Sequence, residues 1–396
     1  MTPEQNTPKV DLLPPLSLYI HLPWCVKKCP YCDFNSHQAD RFTHNNALPE
    51  QDYLKQLLSD LEVDKPYVQG RPIKSIFFGG GTPSLMSADF YYQLMAELQQ
   101  TLTFCDDIEI TMEANPGTFE QEKFRHFRQA GINRLSIGIQ SFQPNLLTTL
   151  GRIHNRDEAI RAVDKSRQAG FDNINIDLMH GLPDQSIEQA MADLTTAIDL
   201  QPEHLSWYQL TIEPNTEFFR RPPTLPADQI LWDIQDAGQT LLAQKGYRHY
   251  EVSAYAQANK QAQHNLNYWR FGDYLGLGAG AHGKITLADG QLFRTRKTRH
   301  PNHYLQTLPE SLTIKDAILT DDMPLEFMMN RLRLFESFAL TDYELFCQQA
   351  IPETLLTQLN RAVEMGLLAK TDWEKQQIMT TEKGKQFLNE LLELFV

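Results

Sequence analysis

The sequence predicts an α/β fold: a partial, open (β/α)6 barrel followed by a smaller α+β module of winged-helix type. Three observations carry this expectation. Short β-rich runs alternate six times with helical patterns, and such alternation builds a parallel sheet. Six repeats fall short of the eight that close a TIM barrel. After about residue 245 the pattern breaks, and from about 310 the chain turns helical again.

In chain order, the predicted strands are "SLYIH" (17–21), "SIFF" (75–78), "IEITME" (108–113), "RLSIGIQ" (134–140), "INIDLM" (174–179) and "LSWYQLT" (205–211). Helical patterns fall at 51–64, 88–102, 119–130, 156–169, 186–199 and 228–245. Two of these helices end in "QAG" (129–131 and 168–170), with glycine where a helix C-terminus favours it. The expected organisation is a flexible N-terminus over 1–15, a barrel over 16–245, a connecting segment over 246–310 and the C-terminal module over 311–396.

Composition narrows the function classes. The chain has 396 residues, 41% hydrophobic and 22% charged, as expected of a soluble globular protein. Its net charge of −14 repels phosphate backbones on average and argues against bulk nucleic-acid binding. No apolar run approaches the ~18 residues that cross a membrane. The opening "MTPEQNTPKV" has neither the basic start nor the apolar stretch of a secretory signal. The expected compartment is the cytoplasm.

Three of the five cysteines lie in "HLPWCVKKCPYCDFNSH" (21–37), at Cys25, Cys29 and Cys32. A structural zinc site needs four ligands, usually two separated pairs; His21 or His37 completing a Cys3His set keeps zinc as one alternative. A redox pair at Cys29 and Cys32 is a second, and it leaves Cys25 without a role. A 4Fe–4S cluster uses all three. Three thiolates leave one of its irons open to a small molecule. Cys105 and Cys347 are isolated and expected to be structural.

The spacing C-x3-C-x2-C just after a first strand resembles the radical S-adenosylmethionine (radical SAM) superfamily. The resemblance implies that S-adenosylmethionine chelates the open iron, with Tyr31 near its adenine. Active sites of β/α barrels lie at the C-terminal ends of the strands, and there this chain places "GGGT" (79–82), Glu113, Gln140 and Asp177, with Arg152 in "LGRIHN". Taken together, "YIHLPWC…CPYCDF", "FFGGGTPS", "EANPGT", "RLSIGIQSF", "LGRIHN" and "DLMHGLP" resemble the oxygen-independent coproporphyrinogen oxidase family over about residues 15–395. By that resemblance Tyr19, Gly80, Gly81, Thr82, Glu113, Gln140, Arg152 and Asp177 contact S-adenosylmethionine.

Two branches of this family must be separated. The dehydrogenases carry a fourth cysteine two positions after the third, where this chain has Phe34, and a longer N-terminal extension. The HemW-type haem chaperones lack both. "HNLNYW" (264–269) resembles the H-N-x-x-Y-W motif of that second branch. It makes His264 a candidate haem ligand, with Tyr268 and Trp269 as stacking partners; the alternative is that His264 caps a loop and the aromatics are core. His282 in "GAGAHG" is a lesser candidate that could equally contact cofactor or backbone. The basic run "RTRKTRH" (294–300) suits haem propionates, anionic lipid heads at the inner membrane, or a solvated loop. The tail "NELLELFV" suits a partner, a membrane surface or the core. The expected function is to carry haem to haem-requiring respiratory proteins, as a homodimer by resemblance. The alternatives are coproporphyrinogen oxidation and, with a winged-helix-like module present, action on RNA.

Overall fold

Twelve strands pair into one sheet in the computed structural model, which describes residues 13–43, 47–118 and 121–396. The expected flexible start falls largely on residues 1–12, outside the described residues, as do 119–120 of the helix expected over 119–130. The strands are β1 (Leu16–Leu22), β2 (Ile73–Gly80), β3 (Phe104–Ala114), β4 (Arg134–Gln140), β5 (Ile174–His180), β6 (His204–Gln209), β7 (Arg248–Glu251), β8 (Ala254–Ala256), β9 (Asp273–Leu277), β10 (His282–Thr286), β11 (Leu292–Lys297) and β12 (Thr313–Ala317). Their order across the sheet is β12-β11-β10-β9-β1-β2-β3-β4-β5-β6-β8-β7. The stretch from β9 through β1 to β6 is parallel. Antiparallel strands flank it on both sides.

The six strands expected from the alternation are β1–β6, in order. Helices α1 (Glu50–Asp64), α2 (Ala88–Thr101), α3 (Gln121–Gln129), α4 (Pro144–Thr149), α5 (Arg156–Gln168), α6 (Ile187–Asp199), α7 (Glu217–Arg220) and α8 (Asp228–Gln244) lie between and after them. Local chemistry sets several starts. Asn155 with Glu158 and Ser186 with Gln189 form capping boxes that begin α5 and α6. Ser87 accepts from the Phe90 amide to begin α2. Every residue of β4 is buried, and β1 is buried except at Tyr19, as strands inside a covered parallel sheet require.

The stretch 246–310, expected to connect two units, instead extends the sheet. It contributes β7–β11, α9 (Gln263–Trp269) and α10 (Pro301–Gln306), and β12 continues the sheet past residue 310. The glycines of "LGLGAG" hid this. Glycine is poor in strands, yet Gly276 lies within β9 because a Cβ there would stand 2.0 Å from the His282 carbonyl oxygen. Two buried ionic clusters fasten the added strands. Asp273 of β9 holds Arg71 at 2.7 Å and Lys284 of β10 at 2.9 Å. Lys297 of β11 lies between Asp60 and Asp64 of α1.

The C-terminal module has its own core. Helices α11 (Met323–Arg331), α12 (Thr341–Cys347) and α13 (Glu353–Glu364) gather around Phe327, Tyr343, Leu355 and Leu359. A two-stranded ribbon, Phe338–Ala339 against Gln377–Ile378, closes it. Leu391 and Phe395 of the tail are buried in this core, as is Cys347. The tail's apolar stripe is therefore core.

Candidate functional site

The loop after β1 carries the three clustered cysteines and is pinned from below. The Gly81 amide donates to the Leu22 carbonyl at 2.8 Å, Thr82 to Trp24 at 2.7 Å, and His37 to Pro23 at 2.7 Å. His21 is fully engaged: Nδ1 lies 2.9 Å from the Tyr19 hydroxyl and Nε2 2.9 Å from the Asn35 carbonyl. Neither of its nitrogens is left for a zinc ion. Among the described residues no three His, Cys, Asp or Glu side chains converge as a single metal ion requires. Cys25, Cys29 and Cys32 instead border one cavity of about 550 Å³. A cluster, whose thiolates bind different irons, asks for that arrangement. Burial pushes the Cys25 thiol up to about 11 and also raises Cys32, so iron must displace their protons as it binds.

Gly80, Gly81, Glu113, Gln140, Arg152 and Asp177 line the same cavity. The two glycines have different reasons. Gly80 has φ +113°, and its amide donates to Glu113 Oε2 at 3.1 Å. Gly81 is needed for packing under the cluster loop, since a Cβ would lie 2.5 Å from the Trp24 carbonyl oxygen. Gln140 ends β4 in the left-handed region at φ 72°, a strain that recurs at functional sites. Its Oε1 accepts from the Tyr208 hydroxyl at 2.7 Å. Arg152 bonds Asn115 and the Gly138 carbonyl, and Nη1 points at Cys29 Sγ, 3.7 Å away. Two expected contacts do not border this cavity. Thr82 is buried, its hydroxyl accepting from Asn115 at 2.8 Å. Tyr19 opens onto a second cavity.

The cavity floor holds residues that sequence reasoning missed. Ser136 donates to Asp177 at 2.9 Å, Asn175 donates to it at 2.7 Å, and Ser206 donates to Asn175 at 3.1 Å. All sit at the same parity as the residues singled out: Ser136 with Gln140, Asn175 with Asp177, Ser206 with Tyr208. Alternation sends every second strand residue to one face, and that rule would have found them.

The site fits the cofactors. Among the described residues Glu113 has no cationic partner; burial first, then nearby Asp177, raises its carboxyl to about 8. Burial also raises Asp177. Two carboxyls at one cavity suit a ligand bearing a sulfonium and an amino group. The Arg152 Nε is buried and, among the described residues, has no hydrogen-bond partner. Tyr31, Met179 and Leu210 add an apolar wall beside Phe218, suited to an adenine. Cys25, Cys29 and Cys32 would hold the cluster; the carboxyls, the Gly80 backbone, Gln140 and Arg152 would hold S-adenosylmethionine.

A second cavity, about 620 Å³, adjoins the first; Asp33, Phe34, Gly80 and Glu113 border both. Tyr268, Trp269 and His282 line it, but His264 does not. His264 is 1% exposed, its Nδ1 2.8 Å from Ser75 Oγ and its Nε2 bonded to the Tyr268 hydroxyl at 2.5 Å. Its ring stacks on Phe77 at 5.1 Å. With both nitrogens used inside the core, His264 is not placed as a haem ligand, which corrects the reading from the motif. Three of the basic run's cations are also not free. Arg294 pairs with Glu326, Arg296 with Asp316, and Lys297 is sealed between two aspartates. Among the described residues no helix is long and apolar enough to cross a membrane.

Comparison with known proteins identifies the family. Residues 19–194 match the model of the radical SAM superfamily. A protein of Escherichia coli K12 named heme chaperone HemW is 51% identical over 389 residues, covering 97% of this chain and 99% of its own. One of that name from Haemophilus influenzae is 51% identical over 393 residues, covering 97% and 98%. One from Bacillus subtilis is 31% identical, covering 96% and 99%. The solved coproporphyrinogen III oxidase HemN of Escherichia coli, at 24% identity, shares the fold with a TM-score of 0.79 over 98% of this chain and 92% of its own. The chain belongs to the HemW haem-chaperone family of the radical SAM superfamily.

Proposed function

We propose that this protein binds haem and hands it to haem-requiring acceptor proteins, respiratory ones included, rather than oxidising a porphyrinogen. The observation that carries this reading is end-to-end identity of 51% with proteins named haem chaperones. Phe34 supports it. Where the dehydrogenase branch has a fourth cysteine, this chain presents an apolar ring, 59% exposed, at the junction of the two cavities. The cluster and S-adenosylmethionine, when bound, supply one-electron chemistry. The chain's own groups orient that cofactor beside a second, aromatic cavity.

The test is anaerobic turnover. Reconstituted protein receives S-adenosylmethionine, a reductant and coproporphyrinogen III, with a known dehydrogenase as positive control. No protoporphyrinogen should form while the cluster absorbance stays intact; its formation would replace this reading with coproporphyrinogen oxidation. A homodimer and peripheral contact with the inner membrane belong to the same proposal. Sedimentation of the haem-loaded protein and flotation with anionic vesicles test them.

A further inference from the structure

We propose that haem occupies the second cavity, its iron bound by a ring nitrogen of His282 and one propionate paired with Arg299; the inference rests on the haem-carrying reading above. The cavity's volume of about 620 Å³ lies within the ~300–1,000 Å³ typical of ligand pockets. Tyr268, Trp269, Phe271 and Tyr274 give it aromatic walls, which suit the face of a flat macrocycle.

The choice of ligand follows from which imidazoles are free. Two histidines border this cavity, His21 and His282. Both nitrogens of His21 are committed to Tyr19 and Asn35. His282 begins β10, is exposed, and among the described residues neither of its ring nitrogens has a hydrogen-bond partner. A free imidazole nitrogen is a common iron ligand.

The cations sort in the same way. Lys284 is held by Asp273 and Arg294 by Glu326. Arg299 is exposed, and among the described residues no carboxylate lies within ion-pairing distance of it. A propionate would meet an unneutralised guanidinium there.

His264 then has a different duty from iron ligation. Its bond to the Tyr268 hydroxyl fixes an aromatic wall of the cavity, which makes it a positioning residue. The shared border at Gly80, Glu113 and Phe34 places the cargo directly beside the S-adenosylmethionine site.

The test is titration of the cluster-loaded protein with ferric haem, read by visible absorption and electron paramagnetic resonance. Wild type should bind haem with a histidine-ligand signature. His282→Ala should lose that signature, bind at least tenfold more weakly, and recover the signature on adding free imidazole. His264→Ala should weaken binding yet keep the signature. Arg299→Glu should weaken haem but not its dimethyl ester. An unchanged spectrum and affinity in His282→Ala, or loss of the signature in His264→Ala alone, overturns the proposed ligand while the haem-carrying reading stands. No haem bound by wild type overturns both.

Discussion

Replacing Glu113 with glutamine should stabilise the protein without S-adenosylmethionine while impairing its hold on that cofactor. The carboxyl lies at the cavity with Asp177 nearby and, among the described residues, no cation to offset it; burial and that neighbour raise it from the ordinary 4.5 to about 8. Below pH about 4.5 both the folded and unfolded chains keep this proton, and Glu113 makes no difference. Between 4.5 and 8 the unfolded chain releases it and the folded chain does not, so stability falls as pH rises. The gap of about 3.5 units, at ~1.36 kcal/mol each, amounts to about 5 kcal/mol above pH 8. Water in the cavity makes that a ceiling. With an unfolding entropy of about 2.1 cal/mol/K per residue over the chain, the ceiling corresponds to about 6 °C in Tm. Glu113→Gln removes the ionisation and with it the penalty. Thermal melts of both proteins from pH 5 to 8.5, without cofactor, should converge at the acid end and diverge toward pH 8 with the variant higher. Calorimetry should show S-adenosylmethionine binding weakened in the same variant. Parallel melting curves across the whole range would refute the assignment of an uncompensated carboxyl at this site.

Gly80→Ala should cost about 1–3 kcal/mol, as for a side chain forced to positive φ. Its Cβ would lie 2.4 Å from the His21 ring, which cannot yield because Tyr19 and Asn35 hold both nitrogens; denaturant midpoints check it. Cys25→Ala, and likewise Cys29→Ala or Cys32→Ala, should drop bound iron after anaerobic reconstitution well below the about four per chain that a 4Fe–4S cluster carries; iron assay decides it. Lys297→Met should destabilise by about 3–5 kcal/mol, because Asp60 and Asp64 would face each other buried and uncompensated. Urea unfolding followed by circular dichroism measures that loss.

What the sequence revealed, and what it hid, follows period by period. The six barrel strands announced themselves by alternating with helices. The cysteine spacing stood out because three ligands within eight positions form a local signal. β9 did not stand out, since its pairing with β1 joins residues more than 250 positions apart and its glycines read as loop. The cavity floor of Ser136, Asn175 and Ser206 was legible through strand parity, but each residue alone looks like an ordinary polar side chain. His264 misled for the opposite reason. A motif names residues that belong together, but it does not say which member faces the ligand; here Tyr268 and Trp269 face the cavity and His264 faces Ser75. The basic run was legible only in part: Arg294, Arg296 and Lys297 are neutralised by Glu326, Asp316, Asp60 and Asp64, which are distant in sequence, while Arg299 has no such partner among the described residues.

The most direct test of the central claim is haem transfer. Protein loaded with one equivalent of haem is mixed with membranes from haem-starved cells, whose respiratory proteins lack haem, and acceptor absorbance is followed over time. Acceptors should gain haem faster from the loaded protein than from the same amount of free haem, and slower from the His282→Ala variant. Acceptors filling no faster than from free haem would contradict the account.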